Sequence, residues 1–133
     1  MDEATKAVVR GCSTDSDAER ASFPEVVARL AAANVERYHA DLWRATKTYY
    51  QPSGASDEVA CRPVETRFAE AFSPGGVEAA VRASQRGEIR YREFCERIAQ
   101  AGCVGYFVSL AGRRVVYYGR TGETHVELFP GAT

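Results

Sequence analysis

The spacing of apolar positions changes along the chain, and each change marks a predicted helix or strand. Ser22 and Glu25 have the spacing of a capping box, which predicts that a helix begins at Ser22. Asn34 is predicted to end it. The apolar residues between them follow the i, i+3, i+4, i+7, i+8 pattern of an amphipathic helix: Phe23, Val26, Val27, Leu30 and Ala31.

After this helix, apolar and polar residues alternate, which is typical of a half-buried strand. Tyr38, Ala40 and Leu42 fall on one side of the predicted strand. Residues 46–50 are rich in β-branched and aromatic side chains and are predicted to form its hairpin partner. A turn at residues 52–54 and a short third strand from Ser56 follow.

The remaining predicted elements are less regular. Residues 1–10 predict a short helix that ends at Gly11, followed by a polar loop. Residues 60–76 contain Pro and Gly and predict a connection, in which Val64, Phe68 and Phe72 are spaced for a short helical piece. Two helices are then predicted to end at Gly87 and Gly102. Residues 103–129 repeat the strand pattern of the first half.

The chain aligns with itself at an offset of 68 residues. Residues 23–57 align without a gap with residues 91–125, and nine of the 35 pairs are identical, where roughly two are expected from average composition. This similarity predicts a tandem duplication of a helix-helix-strand-strand unit. Two units are too few for a solenoid.

The predicted fold is therefore α+β: a single domain, residues 1–133, with an antiparallel sheet and helices on one face. The repeat halves are about 1–59 and 73–129, and the connection is about 60–72.

Composition and charge exclude several functional classes. The hydrophobic fraction of 45% and charged fraction of 26% are typical of a soluble folded domain. The net charge of −1 and the absence of a basic stripe argue against nucleic-acid binding. No apolar run is long enough for a membrane span and the acidic start is not a signal peptide, so we expect a cytoplasmic protein.

The segment Phe94–Ile98, FCERI, followed by AGCVGYFVSLAGRRVVYYGRTGETHVELFP, resembles the domain of unknown function 1398 family. This family is also called YdfO-like or phage envelope protein. The resemblance covers nearly the whole chain and implies a small bacterial or prophage-associated α+β protein. It implies no catalytic residues, so the candidates below depend on their chemistry alone.

His125 is the first candidate for catalysis. Alternation places it on one strand face with Glu123 and Glu127, whose carboxylates favour the imidazolium form. An enzyme would use His125 as general acid or base, Tyr118 or Tyr117 as hydroxyl donor and Glu123 or Glu127 to orient the imidazole. The alternative is that this face of an edge strand is solvated.

Tyrosine pairs and a second histidine are the candidates for ligand binding. In Tyr49–Tyr50 and Tyr117–Tyr118, one tyrosine of each pair is predicted in the core and the other on the opposite face. The candidate ligand-binding residues are Tyr50, Tyr117, Glu127 and His39. His39 shares a face with Arg37 and Asp41, which also fits a solvent-exposed, ion-paired cluster.

The four cysteines have no metal-binding spacing and are predicted to be reduced. Cys95 and Cys103 occupy repeat positions held by Val27 and Val35, which favours a packing role. No metal or cofactor is predicted. The leading hypothesis is a module that binds a small molecule or a protein at the sheet face or the inter-repeat cleft, as a monomer or homodimer. The alternatives are the enzyme above and a prophage structural protein.

Overall fold

In the computed structural model, which describes residues 1–131, four helices pack against one six-stranded antiparallel sheet. This is the predicted α+β single domain. The elements in chain order are α1 Glu3–Asp17, α2 Phe23–Ala32, β1 Arg37–Asp41, β2 Thr46–Tyr50, β3 Ser56–Ala60, α3 Pro74–Gln85, α4 Tyr91–Gln100, β4 Cys103–Ser109, β5 Arg114–Gly119 and β6 Thr124–Leu128.

The sheet has the strand order β3-β2-β1-β4-β5-β6, so the first strands of the two halves meet at its centre. His39 on β1 lies directly opposite Phe107 on β4. These two residues are also 68 positions apart, so the pair marks a pseudo-twofold axis between the halves. Each half contains two helices and three strands in the same order.

Backbone conformation repeats at the same offset. Four residues of the first half have positive φ, and each has a counterpart with positive φ 68 positions later: Glu19 and Gly87, Asn34 and Gly102, Ala45 and Arg113, Gly54 and Gly122. Left-handed residues mark the ends of helices and tight turns. The two halves therefore turn at equivalent places, which supports the predicted duplication.

The core lies between the helices and one face of the sheet, called here the inner face. Tyr38, Tyr49, Tyr106 and Tyr117 are buried there. The predicted split of each tyrosine pair is confirmed, because Tyr49 and Tyr117 are buried whereas their neighbours lie on the opposite, open face. The capping box of α2 is also confirmed. Of its predicted apolar stripe, only Val26 and Leu30 are buried.

The first helix is longer than predicted. It continues through Gly11 to Asp17, so the expected end at Gly11 and the loop after it are wrong. Val9, Cys12, Ser13 and Ser16 are buried at helical spacing, and this packing stabilises a polar segment as helix. No helix within residues 1–131 is long and apolar enough to cross a membrane.

The connection between the halves has no regular secondary structure over residues 61–73, so the predicted short helical piece is wrong. Side-chain contacts hold it instead. Phe68 stacks on Trp43 with ring centroids 4.7 Å apart, and Phe72 is buried against Gly119. The Glu96 carboxylate accepts hydrogen bonds from the backbone N–H groups of Glu65 and Thr66, at 2.8 and 2.9 Å.

Candidate functional site

The side of β6 that carries His125 faces the helices and the core, not solvent. His125 pairs with Tyr117 on β5 and shares the inner face with it. Glu127 is only 8% exposed, whereas Val126 on the open face is 46% exposed. The alternative of a solvated face is therefore wrong for Glu127, which is buried, although Glu123 at the start of this face is exposed.

Helix α3 explains why polar residues of β6 point inward. Arg82 donates from Nη1 to Glu127 at 3.0 Å, and His125 Nε2 lies 2.7 Å from the other Glu127 oxygen. Arg82 also contacts Glu78 at 3.5 Å. The Glu127 carboxylate is thus satisfied on both sides, which is typical of a buried charge that supports the structure.

Tyr118 lies far from this cluster, because it is on the open face of the sheet. Its hydroxyl lies 2.6 Å from His39 Nε2, and the imidazole stacks on Phe107 with centroids 4.3 Å apart. Gly105 makes this possible, since a Cβ there would lie 2.3 Å from the Tyr118 hydroxyl. The structure does not bring His125 and Tyr118 together.

The other predicted site residues are also separated. Tyr50 is on the open face with the Arg37 guanidinium 4.0 Å from its ring centroid, and Tyr117 is in the core. Glu123 is exposed and accepts a hydrogen bond from Thr121. His39 contacts aromatic rings rather than an ion-paired cluster with Arg37, which instead pairs with Glu36.

Partial burial shifts the pKa values of His39 and Tyr118, the hydrogen-bonded pair on the open face. Desolvation lowers the pKa of His39, partly offset by the charge of Asp41. Desolvation raises the pKa of Tyr118 to about 12. Both groups are therefore neutral at neutral pH, and Tyr118 donates to Nε2 when the imidazole proton is on Nδ1. The pair is a hydrogen bond between neutral groups rather than an ion pair.

A different residue, Lys47, has the features of a functional site. It lies on the inner face of β2 and is 4% exposed. No ion pair within residues 1–131 involves it; its amine lies 5.0 Å from the ring centroid of Tyr91. Lysine is rarely buried without a partner, because removing an amine from water costs free energy.

Lys47 lines a half-enclosed pocket between the two halves. Strands β1 and β2 form one wall, helix α4 forms the other, and the connection forms the mouth. The pocket measures about 400 Å³ counting its open mouth, but its interior holds only about 20 Å³. Beside Lys47 it is lined by Tyr91, Cys95, Cys61, Leu42 and Val64, with Asp17, Asp41, Glu96, Arg62 and Arg92 among the charged residues.

The carboxylates of this pocket already have hydrogen-bond partners. Asp17 accepts from the backbone N–H of Arg62 at 2.9 Å, and Asp41 accepts from that of Arg44 at 3.1 Å. Glu96 accepts from two amides of the connection. The carboxylates thus hold the walls together, while the Lys47 amine has no carboxylate partner among the described residues.

The cysteines of the pocket are unreactive thiols at neutral pH. Desolvation raises the pKa of Cys95 to about 11 and also raises the pKa of Cys61. A thiol is a far weaker nucleophile than a thiolate. The amine of Lys47 is therefore the group on which chemistry in this pocket depends.

The sequence analysis missed Lys47, although two signals point to it. It alternates with Tyr49 on the strand and so belongs to the inner face. Its repeat counterpart is Val115, which is buried in the core. A lysine in an inward, apolar repeat position is the signal that would have identified it.

The fold and the pocket define a class: a small α+β domain of two similarly ordered halves with a cleft between them. Residues 15–127 match the family described as Protein of unknown function (DUF1398), so the chain belongs to that family. The resemblance stated from the sequence is confirmed. No curated protein matches the chain.

Proposed function

We propose that this protein is a binding module for a small organic acid, which it binds in the pocket at Lys47. The observation that carries the proposal is the buried Lys47 residue, whose amine lines the pocket without a carboxylate partner among the described residues. A ligand carboxylate or carbonyl oxygen accepts a hydrogen bond from this amine and compensates the cost of its burial.

The size and charge of the pocket limit the ligand. Its interior of about 20 Å³ has room for about one water-sized group. Only one end of a small molecule enters, and the rest lies outside the interior. Arg62 and Arg92 line the pocket as well, but their guanidinium groups pair with Glu65 and Glu19, so, of the described residues in this lining, the Lys47 amine is the cation without a carboxylate partner.

The open sheet face is the weaker candidate for the same role. It exposes Phe107, Val126 and Leu128, but the polar groups of His39 and Tyr118 on this face are hydrogen-bonded to each other. A role in a phage particle stays a prediction, which light scattering of concentrated protein tests: assembly into large particles supports it and monomeric behaviour contradicts it.

Thermal unfolding with acetate, pyruvate, succinate and glyoxylate, each at millimolar concentration, tests the proposal. We expect at least one acid to raise the melting temperature of the wild type, since a ligand at about 100 times its Kd adds about 2.7 kcal/mol of stability.

The matched variants are Lys47→Met, which removes the amine at similar volume, and Lys6→Met, which changes the other lysine of the chain. The shift should disappear in Lys47→Met and persist in Lys6→Met. An equal shift in all three proteins, or no shift with any acid, contradicts the proposal.

A further inference from the structure

We infer that Lys47 forms a reversible covalent imine with its ligand, and that the ligand is an aldehyde or 2-oxo acid. This inference rests on the proposed function and narrows its ligand class. It is carried by the environment of Lys47: the residue is 4% exposed, its amine has no ion-pair partner among the described residues, and it lines a pocket that is open at one end.

The use of lysine at this position is itself informative. Of the 17 basic residues of the chain, only Lys6 and Lys47 are lysines. An arginine supplies positive charge and donors but does not form an imine with a carbonyl compound under mild conditions. A lysine in an apolar environment is the usual solution where a protein needs an amine nucleophile.

The reaction balances without an oxidant or reductant. The Lys47 ammonium first gives one proton to water. The lone pair of the neutral amine then attacks the carbonyl carbon, a C–N bond forms, and one proton of the nitrogen moves through water to the carbonyl oxygen to give a carbinolamine. The hydroxyl group leaves with the remaining nitrogen proton as water, which gives the imine. Water entering through the mouth of the pocket reverses both steps and releases the ligand.

The neighbours of Lys47 suit this chemistry. The Tyr91 ring and Leu42 shield the amine from bulk water, which favours dehydration of the carbinolamine. The thiols of Cys95 and Cys61 stay protonated, because desolvation raises their pKa, and so compete poorly for the carbonyl. Arg62 and Arg92 also line the pocket, and a ligand carboxylate would have to compete with Glu65 and Glu19 for their guanidinium groups.

Reductive trapping tests the inference. The wild-type protein is incubated with sodium pyruvate, or with glyoxylate as the aldehyde probe, and sodium cyanoborohydride, which reduces an imine to a stable secondary amine. Peptide mass spectrometry then measures modification at each amine of the chain: Met1, Lys6 and Lys47.

Lys6 provides an internal control in every sample. Its side chain is 33% exposed, so reaction in proportion to exposure would modify Lys6 faster than Lys47. We expect the reverse, with Lys47 modified about tenfold faster or more, because the pocket holds the carbonyl next to the amine. Modification of Lys47 at or below the rate of Lys6 overturns the inference.

Lys47→Arg separates the two proposals, since it keeps a cation in the pocket but lacks the amine. If acids stabilise the wild type and this variant while trapping at Lys47 is absent, the binding module stands and the imine is wrong. If neither stabilisation nor trapping occurs in the wild type, both proposals fail. Trapping at Lys47 that acetate inhibits by competition supports both.

Discussion

Two regions of the molecule, called here the first and second corner, lie at equivalent positions of the two halves. Their strands and helices correspond, but their side chains differ. At the first corner, β1 and β2 face α4 across the Lys47 pocket. At the second, β4 and β5 face α2. Where the first corner has Lys47, Tyr91, Cys61 and Cys95, the second has Val115, Phe23, Phe129 and Val27 at the same repeat positions. There, Phe23 packs edge to face against Phe129 with centroids 5.3 Å apart.

The comparison shows that the fold does not require a lysine in this position. At the second corner Val115 and Phe129 are buried, Phe23 is 39% exposed, and the residue opposite Val115 is the buried Glu127. The first corner has a buried lysine side chain and an opening at the same place. A polar group that packing does not need is most simply explained by binding or chemistry.

Placing a lysine in the second corner should have the largest effect. Val115 lies directly across from the buried Glu127, whose carboxylate already binds Arg82 and His125. Val115→Lys enlarges a buried side chain and adds a charge at this position, and should cost about 3 kcal/mol of unfolding free energy. Val115→Met is the apolar control and should lose much less. Urea denaturation measures both, and a nearly neutral Val115→Lys would mean that the two corners tolerate charge equally.

A second pair of equivalent positions, Arg37 and Gly105, tests the open face. Gly105→Ala places a Cβ 2.3 Å from the Tyr118 hydroxyl and 2.8 Å from the backbone oxygen of Ala40. We expect a loss of about 1 to 3 kcal/mol from overpacking. Gly105→Ala combined with Tyr118→Phe should recover part of it, since the hydroxyl is the closest atom. No loss on denaturation would contradict the described packing.

Removing the amine from the first corner should stabilise the protein. Lys47→Met keeps a similar volume and replaces a charged group by an apolar one in a residue that is 4% exposed, for a gain of about 1 kcal/mol without ligand. Lys6→Met, at a position where the side chain is 33% exposed, should change stability very little. A loss of stability in Lys47→Met would show that the lysine is needed for folding and would weaken the functional explanation.

The smallest expected effect is on the pH dependence of stability, and it concerns His39 and its counterpart Phe107, which lie opposite each other on β1 and β4. Because desolvation lowers the pKa of His39 in the folded state, the unfolded chain binds more protons as pH falls below about 6.5. Stability from this group is therefore complete at pH 7.5 and declines on acidification toward pH 5.5.

His39→Phe, which copies the second half, should reduce this decline. Denaturation at several pH values measures the slope, which is separate from any constant loss caused by leaving the Tyr118 hydroxyl unpaired. An unchanged slope would assign the pH dependence to other groups.

Local sequence patterns determined most of the fold. The capping residues Ser22 and Glu25 fixed the start of α2, and alternation separated Tyr49 from Tyr50, because helix and strand periods depend on near neighbours. The match at an offset of 68 residues predicted two similar halves without any knowledge of contacts. The family was likewise evident from the sequence.

Tertiary structure decided which surfaces meet. Alternation in β6 showed that His125 and Glu127 share a face, but only the packing of α3, with Arg82 beside Glu127, turned that face inward. The same holds for Lys47: the sequence places it on a strand, whereas its burial and its pocket come from α4 and the connection, which are distant in sequence. The alternation of side chains depends only on the residues of one strand or helix. Which of its faces is buried depends on the other elements that pack against it.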